Sequence, residues 1–221
     1  MSFLEKTGLT APAPDYSKDD NKFIRFWVKA GNSAEIIFLT EAEEAQSCYE
    51  HFCRSKGQIT HHTCLRCLGE SCPMCQYAEE TKGKGPVGFG SRGTFFTVLD
   101  VSPFKGRDGN VIVRPRKRLL VAKTKFLATL NVHYETIKQS GHKLRGTRWY
   151  VSRTNSKTSS SVGDVYIFKG AVDLSEYEDV DELNYADLLR PSRDEMEKFL
   201  ADIGDPIDPS QDPEEPSWDS E

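Results

Sequence analysis

Apolar and polar positions alternate through several short stretches of this chain, and one longer stretch repeats at helical spacing. Residues 23–28 (Phe-Ile-Arg-Phe-Trp-Val) and 35–39 (Glu-Ile-Ile-Phe-Leu), separated by Gly31-Asn32-Ser33, read as a β-hairpin. Thr40 stands where it would cap a short helical turn over 41–46. Strand character returns at 94–101, rich in aromatic and β-branched residues. A turn at 105–110 precedes a return strand at 111–113, and 119–121 is a further short apolar strand. Phe126, Leu127, Leu130, Tyr134 and Ile137 then recur as one face of a helix that Gly141 ends. Strands at 148–153 and 165–169 flank a Ser/Thr-rich loop. A last helix opens on a capping box, Ser192 with Glu195, and gathers Met196, Phe199, Leu200 and Ile203 on one face before Gly204. This succession predicts a mainly β fold with a few helices, closed as a small barrel.

Composition narrows the class. At 221 residues the chain suits one domain with appendages or two small ones. It has no apolar run near 18 residues and no signal-peptide pattern, and Ala11-Pro12-Ala13-Pro14 reads as an extended leader. A soluble, cytoplasmic protein with no membrane partner is expected. The six cysteines, at 48, 53, 64, 67, 72 and 75, fall in one stretch, which favours metal binding over a disulfide framework.

Cys64, Cys67, Cys72 and Cys75 spell Cys-x2-Cys-x4-Cys-x2-Cys, the spacing at which two thiolate pairs close a structural zinc site. His51, His61 and His62 are alternative nitrogen ligands nearby. An iron–sulfur cluster, or four reduced thiols without metal, are the competing readings. Deaminase chemistry is not expected. His133-Tyr134-Glu135 follows the cysteines instead of preceding them, and Pro73 sits inside the last pair.

Ser71-Cys72-Pro73-Met74-Cys75-Gln76-Tyr77 resembles the zinc-binding segment of the T-even phage helix-destabilising proteins, a family of single-stranded DNA-binding proteins. That family has a histidine, twelve residues, a cysteine, and then a Cys-x2-Cys pair. His51, Cys64, Cys72 and Cys75 match in turn, leaving Cys67 as the alternative fourth ligand. The gap from Cys64 to Cys72 is shorter than the family's, and Cys67 is additional. The motif covers only 51–77. The resemblance implies bound Zn2+, an OB-like barrel, and a phage protein that coats single strands during replication, recombination and repair in the host cell.

Charge is polarised along the chain. Residues 1–172 hold 26 Lys and Arg against 16 Asp and Glu, a net of +10, whereas 173–221 hold 3 against 18, a net of −15. Within 105–157, 14 basic residues face only Asp108 and Glu135. A basic body with an acidic tail fits a polyanion-binding protein, with patchy solvation as the plain alternative. Single-strand binding needs cations for phosphates and aromatic faces for bases. The candidates are Arg107, Arg114, Arg116, Lys117, Arg118, Lys123, Lys125, Arg145, Arg148, Tyr150 and Arg153. Strand alternation turns Arg148, Tyr150 and Ser152 to one face and Trp149 to the core, and sends one of Phe95 and Phe96 inward and the other outward. The loop at 83–88 matches Gly-x-Gly-x-x-Gly but follows no strand, so Lys82, Lys84 and Arg92 read as a phosphate-touching flap.

Four regions follow: a flexible leader (1–21), an OB-like core (22–172) with its zinc site at 48–77, an acidic helical extension (173–204) and a disordered acidic tail (205–221). Trp218, among the carboxylates of that tail, is the candidate contact for replication or recombination proteins. No nucleophile–base pair suggests an enzyme. A zinc-knuckle adaptor of a replication or transcription complex is the main competing function, and a metal-dependent nuclease the next.

Overall fold

The computed structural model describes residues 25–55, 57–105, 111–113, 115–157, 160–188 and 192–203. Its strands are β1 (Ser33–Phe38), β2 (Gln46–Ser55), β3 (Gln58–Thr63), β4 (Ser91–Asp100), β5 (Pro103–Lys105), β6 (Val111–Val113), β7 (Arg116–Ala122), β8 (Thr147–Ser152) and β9 (Val165–Ala171). The helices of eight or more residues among them are α1 (Pro73–Glu80), α2 (Thr124–Gln139) and α3 (Arg193–Asp202). The pairings β1–β4, β1–β8, β2–β3, β4–β7, β5–β6 and β8–β9 are antiparallel, and Arg25 makes an isolated parallel bridge to Leu119. The chain divides into two units, Met1–Gln46 with Thr94–Asn184, and Ser47–Gly93 with Tyr185–Glu221.

In the first unit five strands run in the order β7-β4-β1-β8-β9, and β5 and β6, between β4 and β7 in the chain, pair as a separate hairpin. Phe38, Phe96 and Trp149 meet edge to face, and with Ile36, Val98, Leu120 and Val151 they form a core under the Phe126, Leu130 and Ile137 face of α2. Burial of such apolar area is the main force that holds the sheet and helix together. The opposite face carries a second cluster. Ile37, Leu39, Leu99 and Val101 are covered by Val172, Leu174, Tyr177 and Val180 from the stretch after β9. Because both faces of β4 are covered, Phe95 and Phe96 are both buried, and the expectation that one points outward is corrected.

The hairpin expected from 23–28 and 35–39 does not form over its described part. β1 is paired on one side with β4 and on the other with β8, so no edge remains for a third partner. Residues 25–31 instead run extended: Phe26 N–H donates to Leu119 O, Val28 N–H to Ser161 O and Gly31 N–H to Arg153 O. Thr40 caps no helix either. It is buried, its hydroxyl accepts from Thr97 N–H at 2.8 Å, and β2 has already begun at Gln46. The turn expected at 105–110 lies, beyond Lys105, outside the described residues.

In the second unit β2 and β3 form a hairpin whose connection includes Gly57 at φ +75°, a conformation suited to glycine in a tight turn. A 3-10 turn (Leu65–Leu68) and α1 follow. Helix α3 starts as expected, with Ser192 Oγ accepting from Glu195 N–H, and buries Met196 against Cys53, Leu65 and Met74. Of the acidic stretch 173–204, Asp173–Asn184 thus falls in the first unit and Tyr185 onward in the second.

Candidate functional site

Two local structures carry the thiols. Cys64 immediately precedes the 3-10 turn, and Cys72 is the N-cap of α1 with Pro73 in its first turn. Proline is tolerated there because that N–H has no intrahelical acceptor. The Cys-Pro-x-Cys spacing therefore sets Cys72 and Cys75 side by side at the helix N-terminus. His51 arrives from the middle of β2, fully buried.

The four ligand atoms lie within 4.8 Å of one another. Cys64 Sγ is 3.4 Å from Cys75 Sγ, and His51 Nε2 is 3.5 Å from Cys72 Sγ and 3.4 Å from Cys75 Sγ. Ligands on a tetrahedron with metal bonds of about 2.0–2.3 Å stand roughly 3.3–3.8 Å apart, so the separations fit one first-row ion. His51 Nδ1 faces Gly88 O at 3.1 Å. When that nitrogen carries the proton and donates to the carbonyl, the Nε2 lone pair is left for the metal, an orienting contact common behind ligating histidines. The cluster has the donors and the geometry to hold a metal ion.

Burial lowers the His51 pKa and so favours the neutral imidazole that ligates. Burial raises the Cys64 and Cys75 thiols; at Cys75 the neighbouring thiols add to the rise, while at Cys64 hydrogen bonds with the Arg66 backbone and Cys75 oppose it. Ionisation of Cys72 is opposed by burial too, yet hydrogen bonds from the Cys75 and Leu65 backbones bring that thiol below its ordinary range. Cys72 is thus the readiest thiolate, at the positive end of α1. Thiols held neutral by burial would ionise on meeting a cation.

Cys67 stands apart. Its side chain is exposed and its Sγ accepts from Tyr49 N–H at 3.1 Å, away from the cluster. His61 stacks edge-on against Phe52, and His62 lies beside Phe199 and Thr60. Cys53 is buried, which pushes its thiol up to about 12. Gly88, whose carbonyl orients His51, is missed by reading the sequence, since no side chain marks it.

The cationic candidates divide by what they already touch. Lys117 Nζ is 2.6 Å from Asp179 and donates to Asp181 O, and its side chain is only 7% exposed. Arg145 donates to the carbonyls of Leu39 and Val180, and Arg148 pairs with Glu35. Arg153 donates to Val28 O. Arg118 is half-buried, and that burial lowers its pKa while Asp100 opposes the shift. Arg116 and Lys123 are half-buried, and Lys125 is exposed on the first turn of α2. Tyr150 is half-buried on the face opposite Trp149, as the alternation predicts, with Lys169 Nζ 5.7 Å from its ring centre. Arg107, Arg114 and Trp218 lie outside the described residues.

No helix among the described residues is long and apolar enough to cross a membrane. No protein-family model matches the chain, and no curated protein matches it.

Proposed function

We propose that this chain is a single-stranded DNA-binding protein with an OB-like barrel, a structural zinc in its inserted subdomain and an acidic tail that recruits partner proteins. The observation that carries the reading is the pairing order of the first unit. β1, β4 and β7 form a meander, helix α2 follows, β8 returns to the free side of β1, and β9 pairs with β8. A five-stranded antiparallel set with a helix after its third strand is the plan of the oligonucleotide-binding barrel. The extended segment at 25–31 bonds both to β7 and to the loop before β9, which supports closure. Ser47–Gly93, with the thiol cluster, falls in the connection between the first and second strands of that plan.

Fold does not by itself give function, so the charge of the body carries weight beside it. The net +10 over residues 1–172 supports a polyanionic ligand. Zinc suits three thiolates and one imidazole held closed and buried, a donor set typical of structural sites. The tail would compete with DNA for the cationic body and hold Trp218 for partners. Fluorescent oligo-dT binding, measured beside duplex of the same length, tests the reading. Preference for the single strand supports it, and partner binding without affinity for either nucleic acid favours the adaptor.

A further inference from the structure

A cleft of about 560 Å3, floored by His51, Cys64 and Cys75 of the cluster and so including the space a metal ion would take, opens wholly within the second unit. Tyr49, Phe89, Arg66 and Arg92 line it. Tyr49 is 50% exposed and Phe89 58%, both large aromatic side chains that folding alone would favour burying.

Their positions are nevertheless fixed. Tyr49 N–H donates to Cys67 Sγ and Tyr49 O accepts from Cys64 N–H at 2.8 Å, so its backbone is clamped on both sides by the cysteine knuckle. Gly88, the residue before Phe89, holds His51 Nδ1 through its carbonyl. Phe89 itself rests on Gly83, where an added Cβ would stand 2.6 Å from the ring. Gly90 lies against both the His51 ring and Tyr49, where an added Cβ would stand 3.5 Å from the ring and 3.7 Å from the Tyr49 Cβ. The two aromatics therefore border one concavity, and the residues that hold the cluster also hold them.

Two arginines, Arg66 and Arg92, give the cleft donors for phosphate oxygens. Three thiolates around a divalent ion would add one negative charge at its floor, so these donors, and not the net charge, favour a phosphate. Glu79 in the same lining is paired with Arg66 at 2.8 Å in an exposed contact. Such a surface pair is weak and easily exchanged for a phosphate. Aromatic side chains beside cations along one cleft match the requirements of an unpaired nucleotide.

We propose that this cleft is a base-stacking subsite for single-stranded nucleic acid, in which Tyr49 and Phe89 take bases and Arg66 and Arg92 take the adjoining phosphates. It rests on the single-strand reading and gives that reading a location outside the barrel. It also assigns the metal cluster a second task, that of holding the stacking platforms in place before the ligand arrives.

The test uses the full-length, metal-loaded protein and fluorescent oligo-dT over a range of salt. Tyr49→Ala or Phe89→Ala alone should weaken binding roughly five- to a hundredfold, the range expected for one lost base stack, and the two together by about thirtyfold or more, with little change in salt slope. Tyr49→Phe should bind as the parent does, because the ring face is kept. Arg66→Ala with Arg92→Ala should instead flatten the slope of log K against log salt by about 0.7 per lost contact. Photocrosslinking of oligonucleotides carrying 5-iododeoxyuridine, mapped by mass spectrometry, should label Tyr49 or Phe89. Metal content measured on every variant separates loss of stacking from loss of fold, and Phe89→Ala alone serves if the double variant sheds metal. Parent binding that persists within twofold in the aromatic variants, without crosslinks in the cleft, overturns the subsite and leaves the single-strand reading standing. A parent protein that does not bind oligo-dT overturns both.

Discussion

His51 and Cys67 compete for the same role in the sequence, and the backbone separates them. Cys67 has ordinary Cys-x2-Cys spacing from Cys64, yet the 3-10 turn that begins at Leu65 carries it outward to Tyr49. His51 comes from a strand, with Gly88 O behind it to fix its ring. Replacing Cys67 by Ala should leave the metal content unchanged, whereas His51→Ala should release metal to a chelator far more readily; elemental analysis with a competition titration decides between them. Lys117 teaches a similar lesson. Its place in the run Arg116-Lys117-Arg118 suggests a phosphate contact, but its ammonium is buried against Asp179 and the Asp181 carbonyl. Lys117→Ala would leave those acceptors without their donor, so we expect a lower Tm, at about 2–4 °C for each kcal/mol lost in a chain of this size. The salt slope of DNA binding should stay as it is. A slope flattened without loss of Tm would return Lys117 to the binding surface.

At the scale of elements, the parts that were legible are those whose burial is apolar. Helix α2 and the strands around Phe38, Phe96, Trp149 and Tyr166 follow from spacing alone, because alternate or helical positions face one hydrophobic core. Helix α3 was equally clear, from its capping box and its Met196 face. The hairpin of β2 and β3 was not, since the buried residues of β2 are Glu50, His51 and Cys53, which carry no hydrophobic alternation. His51 turns toward the ligand cluster, and Cys53 packs against Met74. Pairing partners were illegible for another reason. Residues 25–28 are apolar enough for a hairpin, but β1 finds its partners at β4 and β8, far along the chain. The cysteine spacing announced a metal site while leaving its fourth ligand open. If the cluster organises the second unit, Cys72→Ser should release the metal and unfold β2, β3 and α1 together. Structural zinc in small domains contributes roughly 10–16 kcal/mol of binding free energy, so the loss should be large. Limited proteolysis between residues 47 and 93 reads it directly, and resistance equal to the parent's would mean that apolar packing around Met74 and Met196 suffices.

Over the whole molecule the governing feature is the opposition of charge, +10 over residues 1–172 against −15 over 173–221. Part of that acidity is committed within the first unit, where Asp179 binds Lys117 and residues 174–180 cover Ile37, Leu39 and Leu99. The remainder after Gly204 lies outside the described residues and is tethered to the body by the chain. A tethered polyanion has a high effective concentration at a cationic surface, so it competes even through weak contacts. Truncation after Gly204 should therefore tighten single-strand binding at low salt, with the gain fading as salt screens the competition. The truncated chain should also lose partner proteins that the intact one retains from a lysate of the host, and Trp218→Ala should lose some of them at little cost in DNA affinity. Underneath these expectations is the claim that the chain binds single strands at all, and one measurement reaches it most directly. Fluorescent oligo-dT titrated with the intact protein at several salt concentrations, beside a duplex of equal length, should give saturable binding that favours the single strand. Log K should fall linearly with log salt, by about 0.7 for each phosphate contacted. No binding at low salt, or equal affinity for the duplex, would contradict the account.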